Sequence, residues 1–292
     1  MREHRPVTTG RIIAGIDGSS GADAALRWAA GEADIRDAEL VALMAWGYLD
    51  QHPVPGHEGF DPSYGQADAE EAATEYVARA LGSPHRPVTV QAVCDLPARA
   101  LLEAAAGADL LVMGARGVGG FRGLLVGSVT QRCLNETTIP LVLVHEAHLG
   151  DPSGPVLVGV DGSDNAAVAF RWAHDEARRR GTHLKALYAW QEPMGGGESF
   201  GLVVDDAALE EAAVDTVEKA ATTDRGAGSV TVERVAARGR AAPVLIEESA
   251  SAAIVVVGHR GHRRWGRVAL GSVAQQVAHH SRCPVVVVPP PA

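Results

Sequence analysis

Two stretches of this chain combine residues suited to holding a phosphorylated ligand. GARGVGGFRGLLVGS starts at Gly114 and GHRGHRRWGRVALGS at Gly258, and both read G-x-x-G, nine residues, then G-S. Glycine permits positive φ and lets a ligand approach the main chain closely. Where a Gly-Ser pair opens a helix, free N–H groups, a hydroxyl and the positive end of the helix dipole converge on one point. That is a physical description of a phosphate cradle. A single G-x-x-G is a weak signal, because a glycine-rich strand-to-helix turn also serves close packing of helix on sheet. Two occurrences, each ending in Gly-Ser, carry more weight, although duplication also copies a structural turn. Upstream, each half places one acid in G-x-D-G-S, at Asp17 and Asp161.

These residues exclude some chemistry. Phosphoryl transfer commonly recruits a lysine inside the loop, yet there is no G-K-[ST] and the lysines are Lys185 and Lys219, which disfavours a Walker-type NTPase. No Ser-His-Asp arrangement or paired-carboxylate spacing stands out. Asp17 or Asp161 could hold Mg²⁺ beside phosphates, but one carboxylate per site more simply fixes a nucleoside by hydrogen bonds. A nucleotide-binding regulator is the leading expectation; slow ATP hydrolysis, or an interaction protein that no longer uses its pocket, are the rivals.

The elements that must position these groups follow from an internal repeat. IIAGIDGSSGADAALRWAAGEA at Ile12 and VLVGVDGSDNAAVAFRWAHDEA at Val156 are in register at an offset of 144 residues, which also relates Trp46 to Trp190 and Pro140 to Pro284. Two copies of one domain are expected, at 1–148 and 154–292, with the turn-rich HEAHLGDPSGP between them. Within the first copy, apolar runs at Ile12–Ile16, Leu40–Trp46, Val88–Cys94, Leu110–Met113 and Leu141–Val144 read as strands. Helical patterns at Ala22–Ile35, Ala67–Leu81, Pro97–Ala106 and Ser128–Asn135 fill the gaps. Alternating strands and helices imply a parallel sheet covered on both faces. Only VTVQAV alternates apolar and polar residues, as an edge strand would. Ligands of open α/β sheets bind beyond the carboxyl ends of the strands, where the strand order reverses. For the first and fourth strands both to flank that crevice they must be neighbours, which selects the order 3-2-1-4-5. The aspartate then faces the nucleoside and the glycine loop the phosphates.

Composition narrows the partners. The 292 residues carry 26 basic and 36 acidic side chains, a formal net charge of −10, the wrong sign for nucleic acid or an anionic membrane surface. Three cysteines, Cys94, Cys133 and Cys283, without a C-x-x-C pair fit free thiols in a reducing compartment. The N-terminus has no apolar h-region and no run approaches a membrane span, so a cytoplasmic protein is expected. His279, His280 and Cys283 read better as cations at a helix end than as metal ligands. Trp28, Trp172, Trp46 and Trp190 read as core, and Trp265 as the tryptophan to consider for a contact.

The paired loops and the G-x-D-G-S motif resemble the universal stress protein family in its tandem-domain, ATP-binding form, over essentially the whole chain. The resemblance implies two tandem open doubly wound α/β domains, each a five-stranded parallel sheet of order 3-2-1-4-5 with helices on both faces, and ATP as ligand. Its first site falls on Gly15, Asp17, Ala45, Gly114, Arg116, Gly117, Gly119, Gly120, Gly127, Ser128 and Val129. Its second falls on Gly159, Asp161, Ala189, Gly258, Arg260, Gly261, Arg263, Gly271, Ser272 and Val273. Arg263 and Arg264 stand where the first loop has Gly119 and Gly120, so the first site is the plainer match. The last strands, Leu141–Val144 and Val285–Val288, would each end a sheet. They are expected to pair with one another in a pseudo-dimer of the halves, with a further homodimer left open.

Overall fold

The computed structural model describes residues 10–47, 64–117, 126–146, 150–191, 211, 214–216, 218, 230–261 and 270–290. They form two compact units, Met1–Cys133 and Leu134–Ala292.

In the first unit the chain runs β1 (Arg11–Ile16), α1 (Ser20–Arg36), β2 (Glu39–Trp46), α2 (Gln66–Leu81), β3 (Val88–Cys94), α3 (Pro97–Ala105) and β4 (Leu110–Gly114). These strands are parallel and lie in the order β3-β2-β1-β4. Helix α4 (Ser128–Glu136) spans the division between the units. The second unit continues with β5 (Leu141–Val144), β6 (Val156–Gly159), α5 (Asp164–Arg180), β7 (Leu184–Trp190), β8 (Val232–Arg238), α6 (Ala241–Glu248), β9 (Ile254–Gly258), α7 (Ser272–His280) and β10 (Val285–Val288). Its order is β8-β7-β6-β9-β10-β5, in which β10 and β5 pair antiparallel and the other neighbours are parallel.

The central strands are continuous apolar runs because both faces are covered: all of Leu110–Met113 in β4 and Ile254–Val257 in β9 is buried. By contrast β3 alternates between exposed and half-buried residues along most of its length, as its place at the end of the order requires. Helices α1 and α5 sit close to their sheets through small residues, Ala22, Ala25, Ala29 and Ala33 in one and Ala166, Ala169, Ala173 and Ala177 in the other. Each buries one carboxylate. Glu32 pairs with Arg36, and Glu176, fully buried, meets Arg180 at 2.6 Å; without those cations burial of a charge would be strongly unfavourable. Each helix ends in a left-handed residue, Asp37 at φ 54° and Gly181 at φ 65°. Trp46 and Trp190 are buried as expected, but Trp28 and Trp172 are only half-buried. Each lies at the flank of its helix's alanine stripe, so the ring covers the edge of the core without entering it.

Cys94 is exposed, whereas Cys133 and Cys283 are buried, and burial pushes the Cys283 thiol up to about 12. Ellman's reagent is therefore expected to label one thiol in the native protein and three in denaturant. Because the folded state favours the protonated thiol, its contribution is complete below the unfolded value of about 8.5 and is lost as pH rises towards the folded one, at about 1.4 kcal/mol per pH unit. Urea titrations between pH 9 and 11 check this: Cys283→Ala should flatten the fall in stability seen in the wild type.

Candidate functional site

Beyond β1 and β6 the chain turns through Asp17-Gly18-Ser19 and Asp161-Gly162-Ser163 into α1 and α5. Gly18 and Gly162 have φ of +86° and +80°, a region that a side chain makes costly. In both turns the aspartate Oδ1 accepts two hydrogen bonds from the serine two residues on, from its N–H at 3.0 Å and its Oγ–H at 2.6 Å. The same Oγ accepts the N–H of Ala22 at 3.1 Å or of Ala166 at 3.2 Å, capping the helix. A relay thus runs from the first turn of the helix through serine to aspartate, and it orients the carboxylate so that Oδ2 turns towards the glycine loop.

That loop is shaped to receive it. A Cβ on Gly117 would sit on Asp17 Oδ2, and one on Gly261 on Asp161 Oδ2. The far ends of the loops return to the same place: the Gly127 N–H donates to the Ala115 carbonyl at 3.0 Å, and the Gly271 N–H to that of His259 at 2.9 Å. A Cβ on Gly127 would lie 3.7 Å from the Gly117 nitrogen, and one on Gly271 3.8 Å from that of Gly261. Aspartate, the second glycine of G-x-x-G and the helix-opening Gly-Ser are therefore brought together twice. The first turn of α7 receives no side-chain bond from its cap, Gly271, which leaves main-chain donors for an anion.

Other expected site residues are placed differently. Gly114 and Gly258 are points of close helix packing: a Cβ there would be 2.6 Å from the Gly21 carbonyl carbon or 2.9 Å from the Asn165 carbonyl oxygen. Gly15 and Gly159 face leucines of α3 and α6, with a Cβ 3.1 Å from Leu101 Cδ2 or 2.9 Å from Leu245 Cδ1. Ala45 and Ala189 are half-buried near the ends of β2 and β7, Ala45 following Met44, which pairs with Ile16 at the end of β1. Ser128, Ser272 and Arg116 are exposed, and Val129, Val273 and Arg260 half-buried. Gly119, Gly120 and Arg263 lie outside the described residues, as do Arg264 and Trp265. Ser19 and Ser163, which bond the aspartates, are not among the expected site residues; the signal for their role is the serine inside G-x-D-G-S.

The two loops also differ among the described residues. His259, at the position of Ala115, is buried, and its Nε2–H donates to the Leu134 carbonyl at 2.9 Å. Burial, with the charge of Arg260, holds its pKa below the usual histidine value, so it stays neutral. Among the described residues no cluster of three or more His, Cys, Asp or Glu could hold a metal ion, and no helix is long and apolar enough to cross a membrane. An open depression lined by Ala177, Thr182, His183 and Val230 lies at the opposite end, where β7 and β8 begin.

The model of the universal stress protein family matches residues 8–145 and again 153–289. The chain belongs to the universal stress protein family. A universal stress protein of Mycolicibacterium smegmatis is 34% identical over 295 residues, covering 96% of this chain and 97% of that one. One from Mycobacterium tuberculosis is 32% identical over 287 residues, covering 94% and 95%. Among solved structures, a universal stress protein from Archaeoglobus fulgidus superposes with a TM-score of 0.69 at 18% identity, covering 96% of this chain and 98% of that one. Both members of the tandem thus carry the family's fold.

The fit of carboxylate to glycine is testable without any ligand. Gly117→Ala should destabilise the first unit by about 1–3 kcal/mol through overpacking, and by much less in an Asp17→Ala background, because the clash has one partner. Urea unfolding of the two single variants and the double variant measures the coupling; additive effects would show that Oδ2 does not fill that space.

Proposed function

We propose that this universal stress protein is an ATP-binding stress-response regulator with one nucleotide site per copy, at the carboxyl ends of β1 and β4 and of β6 and β9. The observation that carries the reading is the doubled arrangement of Asp17 beside Gly117 and Gly127, and of Asp161 beside Gly261 and Gly271. A carboxylate next to main-chain donors at a helix start suits a ligand with a hydroxylated sugar at one end and phosphates at the other. In this reading Asp17 and Asp161 take the nucleoside, with Ala45 and Ala189 against the base. The loops and the Ser128 and Ser272 helix starts take the phosphates, and Mg²⁺ joins only as a companion of the triphosphate. The modules run over 1–148 and 154–292, and the buried thiols suit a cytoplasmic setting.

We also propose that the modules associate through their last strands. Support comes from the antiparallel ladder of β5 and β10, in which Val142 pairs with Val286, its own counterpart 144 residues on, flanked by Leu143 with Val285 and Leu141 with Val287. Pairing of a residue with its repeat equivalent is the signature of an isologous, twofold contact.

Calorimetric titration with ATP is expected to give two sites per chain, with Asp17→Ala and Asp161→Ala each removing one. Saturating ATP should raise the melting temperature, since ligand at a hundred times its Kd stabilises by about 2.7 kcal/mol. No rise at millimolar ATP would instead favour an interaction protein, and turnover abolished by Asp17→Asn would favour an ATPase.

A further inference from the structure

The two copies share the relay from helix to serine to aspartate, but the first adds a group that the second lacks. Tyr76 of α2 is 3% exposed, and its hydroxyl donates to the Ser19 carbonyl at 3.4 Å. Burial foremost, then the nearby carboxylates of Asp23 and Asp17, raises the tyrosine's pKa, with Arg79 opposing. The hydroxyl therefore remains a donor. The Arg79 guanidinium lies over the Tyr76 ring, 5.2 Å from its centroid. The Asp23 N–H also donates to the Ser19 carbonyl, at 3.0 Å, so that one carbonyl ties α1 and α2 to the turn bearing Asp17. At the repeat offset, Asp23 becomes Ala167 and Tyr76 becomes Ala220.

We infer that Tyr76 is a positioning residue that holds the Asp17 turn in its binding geometry, making the first site the pre-organised and tighter of the two. The inference rests on the nucleotide reading above. A turn fixed before binding loses less conformational freedom when ligand arrives, and the advantage falls to one copy because residues 191–231, the counterpart of 47–87, contain no tyrosine.

The test isolates each site in the full chain, with Asp161→Ala leaving the first and Asp17→Ala the second, and titrates ATP calorimetrically. The first site is expected to bind more tightly. Tyr76→Phe, which keeps the ring, should weaken it about three- to tenfold, the range of one net hydrogen bond, and leave the second unchanged. A role in stability alone would lower the melting temperature without this split between the sites. Unchanged affinity of the first site in Tyr76→Phe, or equal loss at both sites, overturns the inference while leaving the nucleotide reading intact. Failure of the wild type to bind ATP overturns both.

Discussion

The arrangement at the carboxyl ends of the strands depends on the space left by two missing side chains. Gly117 and Gly261 have no Cβ, and the carboxylates of Asp17 and Asp161 occupy the volume it would fill. Any other residue there would push the acid away from the loop and disturb the serine to which it is bonded. That serine also caps α1 or α5, so displacement would reach the start of the helix that packs most closely on the sheet. Acid, cap and loop form one unit whose parts cannot be changed singly, the condition under which a binding geometry is held before any ligand arrives.

The unit exists because β1 lies beside β4, and β6 beside β9, in parallel. Parallel neighbours send their carboxyl ends to the same side, so the turn after one strand and the loop after the other meet. Helices on both faces follow from the same choice, since parallel crossovers must travel over the sheet. The alanine faces of α1 and α5 and the absent side chains at Gly114 and Gly258 bring helix and strand end together. Glu32 and Glu176 are tolerated at that depth because each has an arginine one turn away on its own helix.

Duplication preserved this machinery and varied what surrounds it. The bonds of Asp17 and Asp161 to their serines have the same lengths, whereas among the described residues the bond from Tyr76 to the Ser19 carbonyl, His259 and the left-handed Asp37 each occur in one copy. Asp37 and Gly181 occupy corresponding helix ends in the same left-handed conformation, which glycine accommodates most easily.

Strand and helix positions were legible in the sequence to within a residue or two, because periodicity and capping are local. The adjacency of the first and fourth strands followed from requiring their motifs to share one crevice, and the 144-residue offset exposed the doubled arrangement. Which glycines face a carboxylate and which face a helix was not legible: Gly114 and Gly117 belong to one motif, yet one meets α1 and the other Asp17. Nor did any local pattern mark Tyr76, whose hydroxyl meets a carbonyl 57 residues away in sequence. Even the tryptophans of α1 and α5, apolar and on an amphipathic helix, lie at the edge of the core, because the depth at which a side chain ends is set by the sheet it meets. Sequence determined the element types, their repetition and the residues capable of chemistry, since these depend on composition and near neighbours. Tertiary structure alone decided which missing Cβ makes room for an acid and which for a helix, because that depends on the approach of segments far apart in the chain.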